Sequence, residues 1–211
     1  MSMYFNTILE MESNMNLPNR LSMFRMFLIP VIILVMIFPY AQFEISMPIL
    51  YVDFVAIPLK NLLVLVIFII ASITDFLDGY IARKFQLVTT FGKFIDPIAD
   101  KLLVNSLLIM FAIDKIIPAV PVLIMVWRDT LVDGIRMMAS QKNIIMSAGV
   151  LGKFKTVLQI VTIIVYLVSN LPFELFGLPV NVFLLWFSTF ISVFSGFSYF
   201  IQAKDIILET K

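Results

Sequence analysis

The chain has 211 residues, of which 61% are hydrophobic and only 14% charged, and its net charge is +1. A soluble domain is usually about 45–50% apolar and about 25% charged, so lipid is the expected solvent for much of this surface. Cysteine and histidine are both absent, which excludes disulfides and thiolate metal sites and removes the commonest general base. Acid–base or metal chemistry must therefore use carboxylates, which favour hard ions such as Mg²⁺, Mn²⁺ or Ca²⁺.

Six apolar runs approach the length of about 20 residues that a membrane-spanning helix needs. They cover residues 21–41, 58–80, 97–113, 117–138, 156–169 and 180–201. We therefore expect an all-α integral membrane protein with six transmembrane helices. The domain organisation that we expect is an N-terminal extension at 1–16, a six-helix membrane domain at 17–205 and a C-terminal tail at 206–211.

Lysine and arginine in the short loops predict the orientation in the membrane. With six spans, both termini share one side, and the opposite side has only Lys60 and Lys115. The basic residues on the side of the termini are Arg20, Arg25, Arg83, Lys84, Lys93, Lys142, Lys153, Lys155, Lys204 and Lys211. The termini and the loops at 81–95 and 139–155 are therefore expected to face the cytoplasm.

Four aspartates lie at the predicted cytoplasmic ends of the second and third helices. Asp75 and Asp78 are three residues apart, and Asp96 and Asp100 are four apart, so each pair shares a helix face. Four carboxylates at a membrane boundary repel one another and resist desolvation, and a bound divalent cation would supply the missing charge. Four acidic side chains can hold one or two hard ions, with water or phosphate completing the shell. The structural alternative is that they are solvated loop residues and helix caps, as Asp96 before Pro97 would be by itself.

The aspartates belong to an uninterrupted pattern, Asp-x2-Asp-Gly-x2-Ala-Arg-x8-Gly-x3-Asp-x3-Asp, from Asp75 to Asp100. This pattern resembles the motif of the CDP-alcohol phosphatidyltransferase family, and the likeness extends over the chain from Leu17 onward. The resemblance implies a six-helix membrane enzyme, forming a homodimer in the bacterial inner membrane, with its active site facing the cytoplasm. It also implies transfer of a phosphatidyl group from CDP-diacylglycerol to a small alcohol with release of CMP.

The resemblance also implies roles for the motif residues. Metal ligands, for one or two Mg²⁺ or Mn²⁺ ions, would be Asp75, Asp78, Asp96 and Asp100, and Asp100 would also be the general base. The CDP group would be bound by Asp75, Asp78, Gly79, Ala82, Arg83 and Gly92. Gly79 and Ala82 would let the nucleotide approach the helix, Arg83 would neutralise phosphate or pair with a carboxylate, and Gly92 would relieve crowding.

A basic group further along the chain bears on the acceptor. Arg128 and Arg136 are eight residues apart in the fourth helix and fall near one face, and Lys153 and Lys155 stand at the mouth of the fifth. These four residues are candidates for binding a phosphate on the acceptor. The alternative is anchoring at the membrane surface together with salt bridges to Asp129 and Asp133.

The segments 16–20, 92–101, 134–136 and 152–156 resemble those family members whose acceptor is glycerol 3-phosphate. Inositol phosphate, serine and phosphatidylglycerol are the alternative acceptors within the same chemistry. A divalent-cation transporter is the alternative from another class, because intramembrane carboxylates also mark ion pathways. Asn19, Arg20 and Arg25 are further candidates for contacts with headgroup or phosphate, with helix capping and interface anchoring as their alternative.

Overall fold

The computed structural model describes residues 16–87, 89–142, 144, 146 and 149–207, apart from the side chains of Lys93 and residues 205–207. The predicted N-terminal extension before Asn16, and Lys211 in the predicted tail, lie outside these residues. Six helices of 18 to 28 residues confirm the predicted all-α fold. They are α1 (Leu17–Ile37), α2 (Leu59–Lys84), α3 (Thr90–Ile113), α4 (Ala119–Gln141), α5 (Val150–Leu167) and α6 (Val180–Ile207).

Within the described residues, four helices have the length and apolar composition to cross a membrane, namely α1, α2, α5 and α6. The other two also have enough residues, at 24 and 23, but each carries several charged side chains along its length. These side chains are Lys93, Asp96, Asp100 and Lys101 in α3, and Arg128, Asp129, Asp133 and Arg136 in α4. Large apolar side chains such as Phe27, Leu34, Trp127 and Phe183 are exposed on the helix surfaces. The chain is therefore a multi-pass membrane protein.

The helices begin and end at different residues from the apolar runs, because polar first and last turns extend them. The first helix begins at Leu17 and not at residue 21, since the Asn16 side chain accepts from the backbone N–H of Asn19 at 3.3 Å. It ends at Ile37 and not at residue 41, since Pro39 follows and Tyr40–Phe43 forms a short 3₁₀ turn.

The third helix begins at Thr90, seven residues before the predicted start at Pro97. The Thr89 hydroxyl caps it by accepting from the backbone N–H of Gly92 at 3.0 Å, and Pro97 lies inside the helix. The predicted start was therefore wrong, and Asp96 is a helical residue and not a cap. The fifth helix likewise begins at Val150 and not at residue 156, which places Lys153 and Lys155 in its first two turns.

The described chain divides into two compact units. The first contains the residues up to Met47 and Leu62–Ser106, and its interior includes Ile32, Phe68, Ala71 and Ala99. The second contains Pro48–Asn61 and the chain from Leu107 onward. Within the second unit, α6 packs against α4 and α5.

A short antiparallel hairpin in the second unit was not predicted. It consists of β1 (Ile49–Val52) and β2 (Val55–Pro58), with Val52 paired with Val55 across the turn. The Ser169 hydroxyl donates to the Ala56 carbonyl at 3.0 Å and ties the hairpin to the segment after α5.

Candidate active site

Two helices of the first unit carry the four aspartates of the motif. Asp75 and Asp78 are one turn apart near the end of α2, and Asp96 and Asp100 occupy the second and third turns of α3. The Asp78 side chain is only 3% exposed, whereas the side chains of Asp75 and Asp100 are 39% and 43% exposed. One aspartate therefore lies inside the protein, and two present oxygen atoms toward the surroundings.

The guanidinium of Arg25, from α1, joins three of these carboxylates. Its Nη1 lies 2.5 Å from Asp75 Oδ1 and 2.7 Å from Asp100 Oδ1, and its Nη2 donates to Asp78 Oδ2. The Arg25 side chain is fully buried. The intervening loop therefore does bring the two aspartate pairs together, and Arg25 lies between them.

A second residue of α1 contacts the fourth aspartate. The Ser22 hydroxyl, which is buried, lies 2.6 Å from Asp96 Oδ1 and 3.3 Å from Asp78 Oδ2. One turn earlier, Asn19 Oδ1 accepts from the Thr89 hydroxyl at 2.8 Å. The first helix is thus fixed to both helices that carry the motif and to the cap of α3.

Gly92 lies at the most crowded point of this arrangement. A Cβ atom there would lie 3.1 Å from Asn19 Oδ1 and 3.3 Å from Thr89 Oγ1. Gly79 has more room, since a Cβ would meet only Arg83 Nη2, at 3.7 Å. Arg83 is exposed and Ala82 is half-buried on the last turns of α2. The expected roles of these residues toward CDP are predictions that the geometry leaves open.

The donor set suits a hard divalent cation, because every candidate ligand is a carboxylate oxygen. Two of these oxygens already converge on a single cationic nitrogen, Nη1 of Arg25. Among the described residues, however, no three acidic side chains are grouped as metal ligands. The residues therefore fit a metal by their chemistry, while the guanidinium occupies the space between their oxygens.

Two of the basic residues of the second unit contact a buried aspartate. Lys155 Nζ lies 2.7 Å from both oxygens of Asp129, and Arg128 Nη1 lies 2.9 Å from Asp129 Oδ1. Both Lys155 and Asp129 are almost fully buried. The structure thus contains the salt bridges to Asp129 that the sequence offered as an alternative to phosphate binding.

Tyr199 of α6 brings the two arginines of α4 together. Its ring centroid lies 5.7 Å from Arg128 Cζ and 5.0 Å from Arg136 Cζ, and its hydroxyl accepts from Arg136 Nη2 at 2.5 Å. Arg128 Nη2 donates to the Ser195 hydroxyl at 2.7 Å. The Nε atoms of both arginines are buried without a hydrogen-bond partner in the described part of the chain. The fourth candidate, Lys153, is exposed on the first turn of α5.

Sequence reasoning missed the roles of Ser22, Thr89, Ser195 and Tyr199, and the carboxylate contacts of Arg25. A signal existed for Arg25, because a charged side chain followed by an apolar run must find an internal partner or reach the membrane surface. Ser22 and Tyr199 gave no such signal, since serine and tyrosine are ordinary residues of membrane helices.

Comparison with known proteins identifies the family. Residues 15–194 match the model of the CDP-alcohol phosphatidyltransferase family. A Bacillus subtilis protein named CDP-diacylglycerol–glycerol-3-phosphate 3-phosphatidyltransferase is 41% identical over 185 residues, which is 88% of this chain and 93% of the relative. A Rickettsia bellii protein of the same name is 36% identical over 195 residues, 92% of this chain and 98% of its own. The family match decides against a cation transporter, and the chain belongs to the CDP-alcohol phosphatidyltransferase family.

Proposed function

We propose that the chain transfers the phosphatidyl group of CDP-diacylglycerol to sn-glycerol 3-phosphate, giving phosphatidylglycerophosphate and CMP. The observation that carries the proposal is similarity over nearly the full length to relatives that bear the name of this activity. The complete aspartate motif, with three of its four carboxylates on Arg25 in the first unit, supports the reaction class.

The family is in general dependent on divalent metal. In our proposal one or two Mg²⁺ or Mn²⁺ ions are held by Asp75, Asp78, Asp96 and Asp100. The chemistry that a divalent ion would supply there is neutralisation of charge on the diphosphate and polarisation of the reacting phosphorus. The CDP group is bound along the last turns of α2, where Gly79 and Ala82 leave the backbone accessible and Arg83 offers a cation, with Gly92 at the start of α3.

Asp100 acts as the general base. Its carboxylate takes the proton of the acceptor hydroxyl as that oxygen forms a bond to the phosphorus of the phosphatidyl group. The bond between this phosphorus and the oxygen bridging to CMP breaks, and CMP leaves with the electron pair. The 43% exposure of the Asp100 side chain supports this role, because a base must be reachable by its substrate.

The basic cluster of the second unit binds the phosphate of the acceptor. The proposed ligands of this phosphate are Arg128, Arg136, Lys153 and Lys155. The convergence of two guanidiniums on the Tyr199 ring supports a compact cationic site, and two buried Nε donors without a partner in the described residues favour an anion there. Lys155 contributes by neutralising Asp129, so that the charges of the other basic residues leave the cluster net positive.

The proposal includes the location and assembly of the enzyme. The excess of lysine and arginine on one side supports a bacterial inner-membrane protein whose termini and active site face the cytoplasm. A homodimer rests on the family resemblance. Cysteine accessibility at Lys115→Cys and Lys142→Cys in intact and lysed cells tests the orientation, and cross-linking in membranes tests the dimer.

The experiment that tests the function is CMP release by purified protein in detergent with CDP-diacylglycerol and Mg²⁺ or Mn²⁺. Glycerol 3-phosphate, inositol phosphate, serine and phosphatidylglycerol are offered in parallel. The expected result is CMP release with glycerol 3-phosphate and with none of the other three acceptors. Release with another acceptor would overturn the acceptor assignment, and no release with any of them, from folded protein, would overturn the proposed reaction.

Variants of the basic cluster test the acceptor site separately. Arg136→Ala and Lys153→Ala are each expected to raise the KM for glycerol 3-phosphate about tenfold, because a lost charged hydrogen bond is worth about 1.5–3 kcal/mol. The KM for CDP-diacylglycerol should stay the same. Lys204→Ala, which removes an exposed cation from the end of α6, is the matched control and should change neither value.

A further inference from the structure

The Arg25 side chain contacts three of the four motif carboxylates. It comes from α1, outside the aspartate motif, and its side chain has no exposed surface. A guanidinium is held in such a place only by the anions around it, because an unpaired buried cation costs several kcal/mol. Arg25 and the aspartates therefore depend on each other for charge balance.

Arg25 by itself does not balance the charge of these aspartates. One guanidinium faces three carboxylates, so the group carries a formal charge of −2 before Asp96 is counted. The Nε atom of Arg25 is buried and has no hydrogen-bond partner in the described part of the chain. A partly exposed group of carboxylates that one guanidinium does not neutralise favours a further cation, and the unsatisfied buried donor favours an anion.

The carboxylates that Arg25 contacts are among those proposed to bind metal. Asp75 Oδ1 and Asp100 Oδ1 both lie on Nη1, at 2.5 Å and 2.7 Å. A divalent ion needs its oxygens at about 2.0–2.6 Å and repels a neighbouring guanidinium. A divalent ion at these carboxylates must either take the two Oδ1 atoms from the guanidinium or use the other oxygens beside a like charge, so the two cations compete.

We propose that Arg25 is the resident counter-cation of the carboxylate cluster, that it competes with the divalent ion for Asp75 and Asp100, and that it transfers to the diphosphate of the lipid donor when both bind. The second half of this proposal rests on the proposed function. A displaced guanidinium in a buried position must gain another anion, and its planar fork matches phosphate oxygens well.

The exchange predicts coupling between the metal and the nucleotide. Metal alone must displace Arg25 without compensation or bind beside its like charge, so it binds weakly. Metal together with a diphosphate gives Arg25 a new partner, so each ligand strengthens the binding of the other. Removal of Arg25 should therefore strengthen binding of the metal by itself and weaken the coupling.

The test is Mn²⁺ binding to the full-length protein in detergent, measured by electron paramagnetic resonance with and without CDP. If Arg25 engages the cluster nine-tenths of the time, Arg25→Gln should bind Mn²⁺ about tenfold more tightly than wild type. CDP should tighten Mn²⁺ binding about tenfold in wild type and less than about threefold in Arg25→Gln. Lys84→Gln, which removes an exposed cation from the end of α2, should behave as wild type in both arms.

The melting temperature gives a readout that is independent of turnover. Without metal, Arg25→Gln should melt below wild type, and Mn²⁺ should raise its melting temperature more than that of wild type. If Arg25→Gln does not fold, Arg25→Lys takes its place, because a lysine keeps one charge but cannot reach three carboxylates in the same fork geometry. Arg25→Lys should then bind Mn²⁺ more tightly than wild type.

Equal or weaker Mn²⁺ binding in these variants would overturn the competition between Arg25 and metal. Unchanged coupling with CDP would overturn the transfer to the diphosphate. Neither result depends on turnover, so a failed CMP-release assay together with the expected Mn²⁺ shifts would overturn the proposed function and leave the competition standing.

Discussion

Lys155 and Asp129 form a buried ion pair in which the lysine ammonium lies 2.7 Å from both carboxylate oxygens. The two side chains are only 6% and 4% exposed, and they join α5 to α4. A buried charge without its partner is costly, whereas the replacement of both partners by apolar side chains is often neutral. Each partner is therefore needed for the stability of the second unit as long as the other is present, whether or not Lys155 also serves the acceptor.

We expect Lys155→Met to lower the free energy of unfolding by about 3–5 kcal/mol, since among the described residues it leaves the buried Asp129 with Arg128 as its one charged partner. The double variant Lys155→Met/Asp129→Leu should recover most of that loss. Thermal unfolding in detergent measures both effects. A double variant no more stable than the single one would contradict the structural role of the pair, and a raised acceptor KM in a stable double variant would support an added role in binding.

We expect Asp100→Asn to reduce the rate of CMP release by about 10²–10⁴-fold, because the amide cannot accept the proton of the acceptor hydroxyl. Binding of Mn²⁺ and CDP should be largely retained, since Asp75, Asp78 and Asp96 are intact. Turnover close to wild type in this variant would remove Asp100 as the base. Asp114→Asn is the matched control, because Asp114 pairs with Lys60 at 3.4 Å and lies outside the motif.

We expect Gly92→Ala to destabilise the protein by about 1–3 kcal/mol, because the new methyl group would lie 3.1 Å from Asn19 Oδ1 and disturb its bond to Thr89. Gly134→Ala is the matched control, since a Cβ there meets nothing within 4 Å and alanine favours a helix. Melting temperatures of the two variants provide the comparison. Equal effects would show that the crowding at Gly92 has no energetic consequence.

We expect Tyr199→Phe to raise the KM for glycerol 3-phosphate several-fold, because Arg136 loses the hydroxyl that accepts from it at 2.5 Å. Tyr199→Leu should raise it further, since the aromatic ring that faces both guanidiniums is lost as well, and cation–π contacts are worth about 0.5–2 kcal/mol. Steady-state kinetics with each substrate varied in turn separate a weaker acceptor site from a general loss of folded enzyme. An increase in the KM for CDP-diacylglycerol of the same size would contradict the assignment.

The aspartate motif and the six helices could be predicted because both are local properties of the sequence. Apolar runs identify helices directly, and the spacing of Asp75, Asp78, Asp96 and Asp100 places each pair on one helix face. The helix limits were less accurate, since caps such as Asn16 and Thr89 are polar residues outside the apolar runs. The hairpin at 49–58 was missed because its four-residue strands are too short to give a distinct pattern.

The sequence by itself determined that this chain is a helical membrane protein that carries four closely spaced aspartates and no histidine, because composition and spacing are enough to establish those properties. Only the tertiary structure decided which cation each carboxylate meets. Arg25 is 50 or more positions from Asp75, Asp78 and Asp100, and Lys155 is 26 from Asp129. Pairings over such sequence separations depend on how helices pack and not on the period of any one helix. A local sequence pattern therefore cannot predict them.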